Sequence, residues 1–367
     1  MVYYSPSCIV LLKVGAVALL SRFGASHGFL PINRGSAKTA QGRATLASGE
    51  QNGNNQSPSH IIYFSATRVL SMAKILVVED SAVDRALLGS VLGKNPHWQV
   101  EFANDGLEAL EYLQAQPSAL PDVIVTDMQM PRMDGLALVR EVRQKTSQIP
   151  VVVITSEGSE HYAMEALRVG ATSYSPKSML RSDLQRTVAQ IIHMASYMRY
   201  THDTKKLPAP KSVAFVLENE PSLIGPAIEH MQGNLPEWSE RDRWQFAMAI
   251  DEALVNAMHH GNLEVDSELR DSENEQDYYD TIRDRKQKSP FCHRRVRVEA
   301  EFSDQHICVQ ISDDGKGFDA ARVADPTNGE NLHRVSGRGL FLIRSFMDQV
   351  CHNQIGNQIT MTKIRKI

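Results

Sequence analysis

From Lys74 to about Tyr200 the chain alternates short, unbroken apolar runs with longer stretches of amphipathic pattern. Ile75-Leu76-Val77-Val78, Val123-Ile124-Val125 and Val151-Val152-Val153-Ile154 are the strongest runs, with weaker ones near Val100 and Tyr174. β-Branched runs without polar alternation belong to strands covered on both faces, and amphipathic helices between them make the sheet parallel. Five such strands and five helices predict a flavodoxin-like, doubly wound α/β domain over residues 72–200. Ligands of such sheets gather beyond the carboxyl ends of the strands, so the residues just after each run are the ones to inspect.

The pattern then changes. Residues 201–210, Thr-His-Asp-Thr-Lys-Lys-Leu-Pro-Ala-Pro, are polar and proline-rich and read as a linker. Beyond it, a strand is predicted at Val213–Leu217 and helices at Ser222–Gln232 and Glu240–His260. Strands follow at Arg295–Phe302 and His306–Ser312, then a glycine-rich stretch, a helix near Gly339–Phe346 and a last strand at Gln358–Lys363. Helices set against a mostly antiparallel sheet make an α+β sandwich over residues 211–367. Residues 264–288 are highly charged with no sustained apolar face, which predicts an inserted, exposed helix or mobile loop. No internal repeat is visible.

The first 71 residues fit neither pattern. Cys8 to Leu20 is an apolar run broken by Lys13, too short for a comfortable membrane span and without a preceding basic residue. Ser, Gly, Asn and Gln dominate from there to about His60, and Met72 stands directly before the first strong strand. Residues 1–71 are therefore expected to be disordered, with an over-extended translation start as part of that expectation and a weak membrane anchor as the alternative. A net charge of −4 gives no electrostatic reason to expect nucleic acid as a partner. Four cysteines without a CxxC pair or regular spacing fit reduced thiols in the cytoplasm rather than a zinc site or disulfide framework.

Chemistry sits where the sheet rule directs. Glu79 and Asp80 end the first strand and Asp127 ends the third, so three carboxylates share one rim. Clustered carboxylates repel unless a cation neutralises them, and oxygen ligands of this number suit Mg²⁺. Thr155 ends the fourth strand and Lys177 follows the fifth, adding a hydroxyl and an ammonium that can bind the oxygens of a phosphoryl group. One strand-end acid alone would be a helix cap; all five at the correct strand ends make that reading improbable.

These stretches resemble the receiver domains of two-component response regulators. They are Ile75 to Ser81, Thr126-Asp127-Met128-Gln129-Met130-Pro131-Arg132-Met133-Asp134-Gly135, Val153-Ile154-Thr155-Ser156 and Gly170 to Lys177. The resemblance implies that Asp127 accepts phosphate from a histidine kinase or phosphotransfer protein. Mg²⁺ would be held by Glu79, Asp80, Asp127 and the Met128 carbonyl. Thr155 and Lys177 would read the phosphate, with Tyr174 as a rotameric switch. One departure is that Ser178 follows Lys177 where the family usually has proline, and Pro176 precedes it. His193, in the last helix without an acidic neighbour, reads as a surface histidine.

In the second domain Glu252, Asn256 and His260 are spaced four apart and are expected on one helix face, with Ala249, Ala253, Leu254 and Ala257 packing opposite. An Asn256 side-chain carbonyl suits Mg²⁺ bridging to phosphates, and Glu252 could orient or deprotonate an attacking hydroxyl. Asp313-Asp314-Gly315-Lys316-Gly317 follows a strand and offers an acceptor for an adenine amine beside glycines that let backbone approach the base. Gly337-Arg338-Gly339 opens a helix whose amides suit phosphate. Each piece is weak alone; the ordered set of three is strong.

The set resembles the N, G1 and G2 boxes of GHKL-type ATPases over about Val213 to Thr362. Glu252-Ala253-Leu254-Val255-Asn256-Ala257-Met258-His259-His260-Gly261-Asn262 is closest to anti-sigma-factor serine/threonine kinases. The resemblance implies Mg-ATP bound through Asn256, adenine read by Asp313, phosphate at Gly337–Gly339 and Glu252 as general base. The implied partner is an anti-sigma antagonist, or a sigma factor if the domain only sequesters it with ATP bound. Related kinases often dimerise, so a homodimer is among the expectations. The chain lacks the histidine-bearing dimerisation helices of a sensor kinase, which argues against autophosphorylation on histidine.

Overall fold

The computed structural model describes residues 9–12, 72–117, 119–145, 148–156, 160–198, 212–235, 238–266, 269, 275–318 and 335–365. The linker at 201–210 and residues 1–71 apart from 9–12 lie outside these. The described element β1 (Ile9–Leu12) belongs to the second domain's sheet, although the sequence reading placed it in a disordered segment. Four consecutive apolar residues there fill an otherwise open sheet edge and satisfy its backbone groups.

The first domain is a five-stranded parallel sheet of β2 (Ala73–Val78), β3 (Trp98–Ala103), β4 (Val123–Asp127), β5 (Val151–Thr155) and β6 (Ser173–Pro176), in the order β3-β2-β4-β5-β6. This is the flavodoxin-like doubly wound topology. Its helices are α1 (Ala82–Leu92), α2 (Gly106–Ala115), α3 (Gly135–Lys145), α4 (Glu160–Val169) and α5 (Gln185–Met198). They cover both faces, so Ile75–Val78, Val123–Val125 and Val151–Ile154 are all 0 % exposed. Each such side chain contributes about 1.5–3 kcal/mol of burial. Ser81 and Asp105 cap α1 and α2 by accepting from backbone amides, which fixes the turns at the carboxyl edge.

In the second domain β7 (Ser212–Leu217), β8 (Val296–Phe302), β9 (His306–Ser312), β10 (Gln349–His352) and β11 (Gln358–Ile364) join β1 in the order β1-β7-β8-β9-β11-β10. Only β1–β7 is parallel. Val296, Val298 and Ala300 point into the core while Arg297, Glu299 and Glu301 face out, the alternation of a one-sided sheet. The helices α6 (Ile224–Gln232), α7 (Glu240–Asn256), α8 (Glu275–Arg285) and α9 (Val335–Phe346) complete the domain, with α7 and α9 packed together.

The charged insertion is not a loose loop where it is described. Tyr278 and Ile282, one turn apart on α8, join Leu263, Val265, Leu269 and Phe291 in a separate apolar cluster. Tyr278 Oη bonds His259 Nδ1 at 2.9 Å, and Arg285 donates to the Leu263 carbonyl at 2.7 Å. Two apolar side chains at this spacing suffice to dock a helix whose remaining surface is charged.

The two domains share one apolar core. Helix α5 packs on α6 and α4 on α9, and Arg241 donates to the Arg168 carbonyl. Tyr174 of β6 meets Phe341 of α9 edge-on, ring centres 5.7 Å apart. No described helix is long and apolar enough to cross a membrane.

Candidate functional site

Two clusters of chemistry-bearing side chains occur, one in each domain. At the carboxyl edge of the parallel sheet, candidate ligand oxygens of Glu79, Asp80 and Asp127 lie within 4.8 Å of one another. Glu79 and Asp127 are buried and Asp80 is exposed. Burial, then the charge of Asp127, pushes the Glu79 carboxyl up from its ordinary range. Burial also pushes Asp127 up, against the pull of Lys177. Lys177 Nζ stands 3.2 Å from Asp127 Oδ1, 3.4 Å from Glu79 Oε2 and 3.0 Å from Asp84 Oδ2. Burial alone would lower the ammonium, but the Asp84 bond and the charges of Asp127 and Glu79 raise it, so it is held charged. One ammonium among four carboxylates leaves the pocket anionic, and an all-oxygen donor set of this charge fits a hard divalent cation such as Mg²⁺.

The surrounding backbone fixes this cluster. Ser81 N donates to Glu79 Oε1 at 3.1 Å, and Arg85 Nη1 holds the Glu79 and Asp80 carbonyls at 2.7 and 2.9 Å. Gln129 N reaches Asp127 Oδ2 at 3.3 Å. Thr155 is buried at the end of the adjacent strand. The Pro176-Lys177-Ser178 departure is absorbed by a 3-10 turn at Lys177–Met179 and a π-helical turn at Leu180–Leu184, which lead into α5 with Lys177 still over the carboxylates. His193 is exposed on α5.

In the second domain α7 carries Glu252, which is buried, and Asn256, which is partly so. A Cβ on Gly339 would lie 2.7 Å from Glu252 Oε2 and 3.6 Å from Asn256 Nδ2, so α9 approaches both residues closely through that glycine. Similarly, a Cβ on Gly261 would lie 2.4 Å from the Asp313 Cγ, and Gly315 N donates to Asp313 Oδ1 at 2.8 Å. Burial chiefly, together with the Asp314 charge, pushes the Asp313 carboxyl up to about 6, although the Gly315 amide opposes the rise. Gly317 has φ +73 and its Cβ would strike the Ile355 carbonyl at 2.1 Å, so only glycine fits.

Two expected placements differ. α7 ends at Asn256 and continues as a π-helical turn, Ala257–Asn262. His260 therefore lies in this wider turn rather than in the α-helix, and its Nδ1 bonds the Val265 carbonyl at 2.7 Å. α9 begins at Val335, so Gly337 lies in its first turn but Gly339 lies beyond it. The Gly339 amide is therefore not among the helix's first four unpaired N–H groups. Its place is the close approach to Glu252. Residues 319–334, part of the glycine-rich stretch, lie outside the described residues.

Four residues escaped the sequence reading as site components. Asp84 shares Lys177; an acid in the first turn of the helix after the acidic strand end was its signal. Asn262, 0 % exposed, accepts from Asp314 N and donates to Asn219 Oδ1, both at 2.8 Å, tying the end of α7 to the β9 turn. Asp251, beside Glu252, is pushed up to about 7 by burial and then by the Glu252 charge. Gln190 of α5 donates to both Asp251 Oδ2 and Glu252 Oε1, the latter at 3.2 Å. Nothing local in the sequence marks it.

Two families match the chain, one on each side of the linker. The response regulator receiver domain family matches residues 75–189, and the histidine kinase-like ATPase domain family matches residues 218–363. Over 125 residues the chain is 34% identical to protein-glutamate methylesterase/protein-glutamine glutaminase 1 of Methanosarcina mazei, covering 33% of this chain and 34% of that protein. Over 111 residues it is 38% identical to response regulator MprA of Mycobacterium ulcerans, covering 30% of this chain and 46% of that one. The chain thus spans between about a third and a half of these relatives. Among solved structures, a response regulator receiver domain protein from Clostridium thermocellum is 27% identical with TM-score 0.32, covering 34% of this chain and 97% of that one. The chemotaxis response regulator CheY4 of Vibrio cholerae is 34% identical with TM-score 0.30, covering 33% and 99%.

Proposed function

From the premise that residues 75–189 are a response regulator receiver domain and residues 218–363 a histidine kinase-like ATPase domain, we propose a phosphorelay-controlled protein serine/threonine kinase. In the receiver, the Asp127 carboxylate takes a phosphoryl group from the phosphohistidine of a partner: a new O–P bond forms as the N–P bond breaks. Glu79, Asp80 and Asp127 would hold Mg²⁺, which supplies positive charge to the phosphoryl oxygens. Lys177, now shared by carboxylates, turns to an oxygen of the new acyl phosphate, and Thr155 donates its hydroxyl to another.

In the second domain Asn256 would hold the cation that accompanies ATP. Asp313 would accept from the adenine amine, and the amides of the first turn of α9, Gly337 included, would face the phosphates. Glu252 would take the proton of a serine or threonine hydroxyl as that oxygen attacks the γ-phosphorus and ADP leaves. The reading is supported above all by Glu252 and Asn256 standing together on α7 against Gly339, since a domain that merely holds nucleotide needs no carboxylate there. An anti-sigma antagonist is the proposed acceptor, by resemblance.

Labelled ATP incubated with the full chain and captured partners, followed by mapping of phosphoserine or phosphothreonine, tests this. Transfer that depends on Glu252 supports the kinase. ATP binding without transfer in either receiver state would support a sequestering switch instead.

A further inference from the structure

Gln190 makes an unusual contact for a residue between domains. Its Nε2 donates to two carboxylates at once, Asp251 Oδ2 and Glu252 Oε1. Those residues are 7% and 3% exposed. Its own Oε1 is buried with no hydrogen-bond partner among the described residues. The donor end of the amide is thus shared between Asp251 and Glu252, the carboxylate proposed as general base.

The two oxygens of Glu252 face different neighbours. Oε2 lies beside Gly339 of α9, while Oε1 faces the receiver domain through Gln190. A hydroxyl about to lose its proton must donate a hydrogen bond to such an oxygen at about 2.6–3.2 Å. The amide N–H of Gln190 makes that same kind of bond at 3.2 Å. We propose that Gln190 stands in for the acceptor hydroxyl, so that receiver helix α5 occupies the acceptor side of Glu252. The serine- or threonine-bearing protein and the receiver domain then compete for one surface. This rests on the kinase reading and adds to it the way the base is kept from its substrate.

A second contact between the domains connects the Glu252 surface to the receiver pocket. Tyr174, whose ring meets Phe341, lies on β6 three residues before Lys177. Phe341 lies two residues after Gly339 on α9. The strand leading to the lysine that spans Glu79 and Asp127 is therefore packed on the helix that borders Glu252. Displacing Lys177 toward a phosphoryl group on Asp127 acts at one end of this short chain of contacts, and Glu252 is at the other.

The test uses the full-length chain with Mg-ATP, water serving as the acceptor because it requires no partner. Gln190→Met keeps the side chain's length and removes the amide, and Gln190→Ala is the second variant should the first fold poorly. Releasing a bond of this charge-assisted kind is expected to raise kcat for hydrolysis about tenfold, with KM for ATP and the affinity for mant-ATP within about twofold of wild type. In a Glu252→Gln background the gain is expected to vanish. Unchanged or lower kcat in both Gln190 variants, with ATP bound as by wild type, would overturn the proposal, as would a gain that persists without Glu252. A wild-type chain that binds no ATP, or that binds it with no turnover in wild type and both variants, would instead refute the underlying kinase reading; measurable wild-type hydrolysis that the Gln190 variants leave unchanged refutes this proposal alone.

Discussion

The two pockets are built in opposite ways. The receiver pocket is assembled from the ends of neighbouring strands of one sheet, and Lys177 already spans its carboxylates. The cluster proposed to take nucleotide draws on one helix, a strand end and the start of a second helix, and Glu252, its proposed base, is hydrogen-bonded by a residue of the other domain. The difference teaches where control can be exerted. A site complete within one sheet edge responds to what binds there, whereas a site whose key carboxylate is held from outside responds to domain contacts as well. Moving such an output from mostly off to mostly on takes about 5.5 kcal/mol of differential stabilisation. In the proposed control, one hydrogen bond from Gln190 would supply a fraction of that, and the rest would fall to the shared apolar interface.

Separating the pockets by mutation gives the largest expected effect. Asp127→Asn should abolish labelling by acetyl phosphate while ATP affinity stays within about twofold, since Asp127 and Glu252 lie in different domains. Equal labelling of the variant would remove Asp127 as the acceptor. Next, Glu252→Gln should lower phosphoryl transfer by about 10²–10⁴-fold, the range for a lost general base, without weakening nucleotide binding. A parallel loss of binding would make Glu252 a ligand-positioning group instead.

Two smaller effects follow from titration. Burial holds the Asp313 carboxyl up at about 6, and only its carboxylate form would be purely an acceptor for the adenine amine. Affinity for Mg-ATP should therefore fall as pH drops through that value, by up to roughly tenfold per unit, and Asp313→Asn should flatten the profile. Asp251 keeps its proton up to about 7 in the fold against an ordinary value of 3.8. The unfolded chain then releases the proton first, so stability falls as pH rises from about 4 to about 7 and remains low above it. Asp251→Asn removes that fall, with an expected gain of about 1–2 kcal/mol at pH 8 in denaturant unfolding. No gain there would mean that its ionised form is well compensated by the Gln190 hydrogen bond and by the positive charge of Arg186 on α5, both of which favour the carboxylate.

Legibility in the sequence follows the same division. β2, β4 and β5 are continuous β-branched runs, so their strand ends were readable, and with them Glu79, Asp127 and Thr155. β10 is four residues with partly exposed side chains and left no apolar signature. For residues 264–288 the sequence predicts an exposed helix or a mobile loop; the helix α8 is there, but its docking was hidden by its charge, because Tyr278 and Ile282 are what mark its buried side. The π-helical turn after Asn256 could not be read from spacing, so the helix expected to run to His260 ends as an α-helix at Asn256. Gln190 meets partners 61 and 62 residues away, a pairing created only by the docking of the two domains.

Beryllofluoride, a phosphoryl mimic, added to the full chain with Mg-ATP tests most directly whether the receiver governs the base. Hydrolysis by the wild type should rise about fivefold or more at unchanged ATP affinity, and Asp127→Asn should not respond. Equal rates with and without beryllofluoride, in a chain shown to bind both it and ATP, would contradict the account.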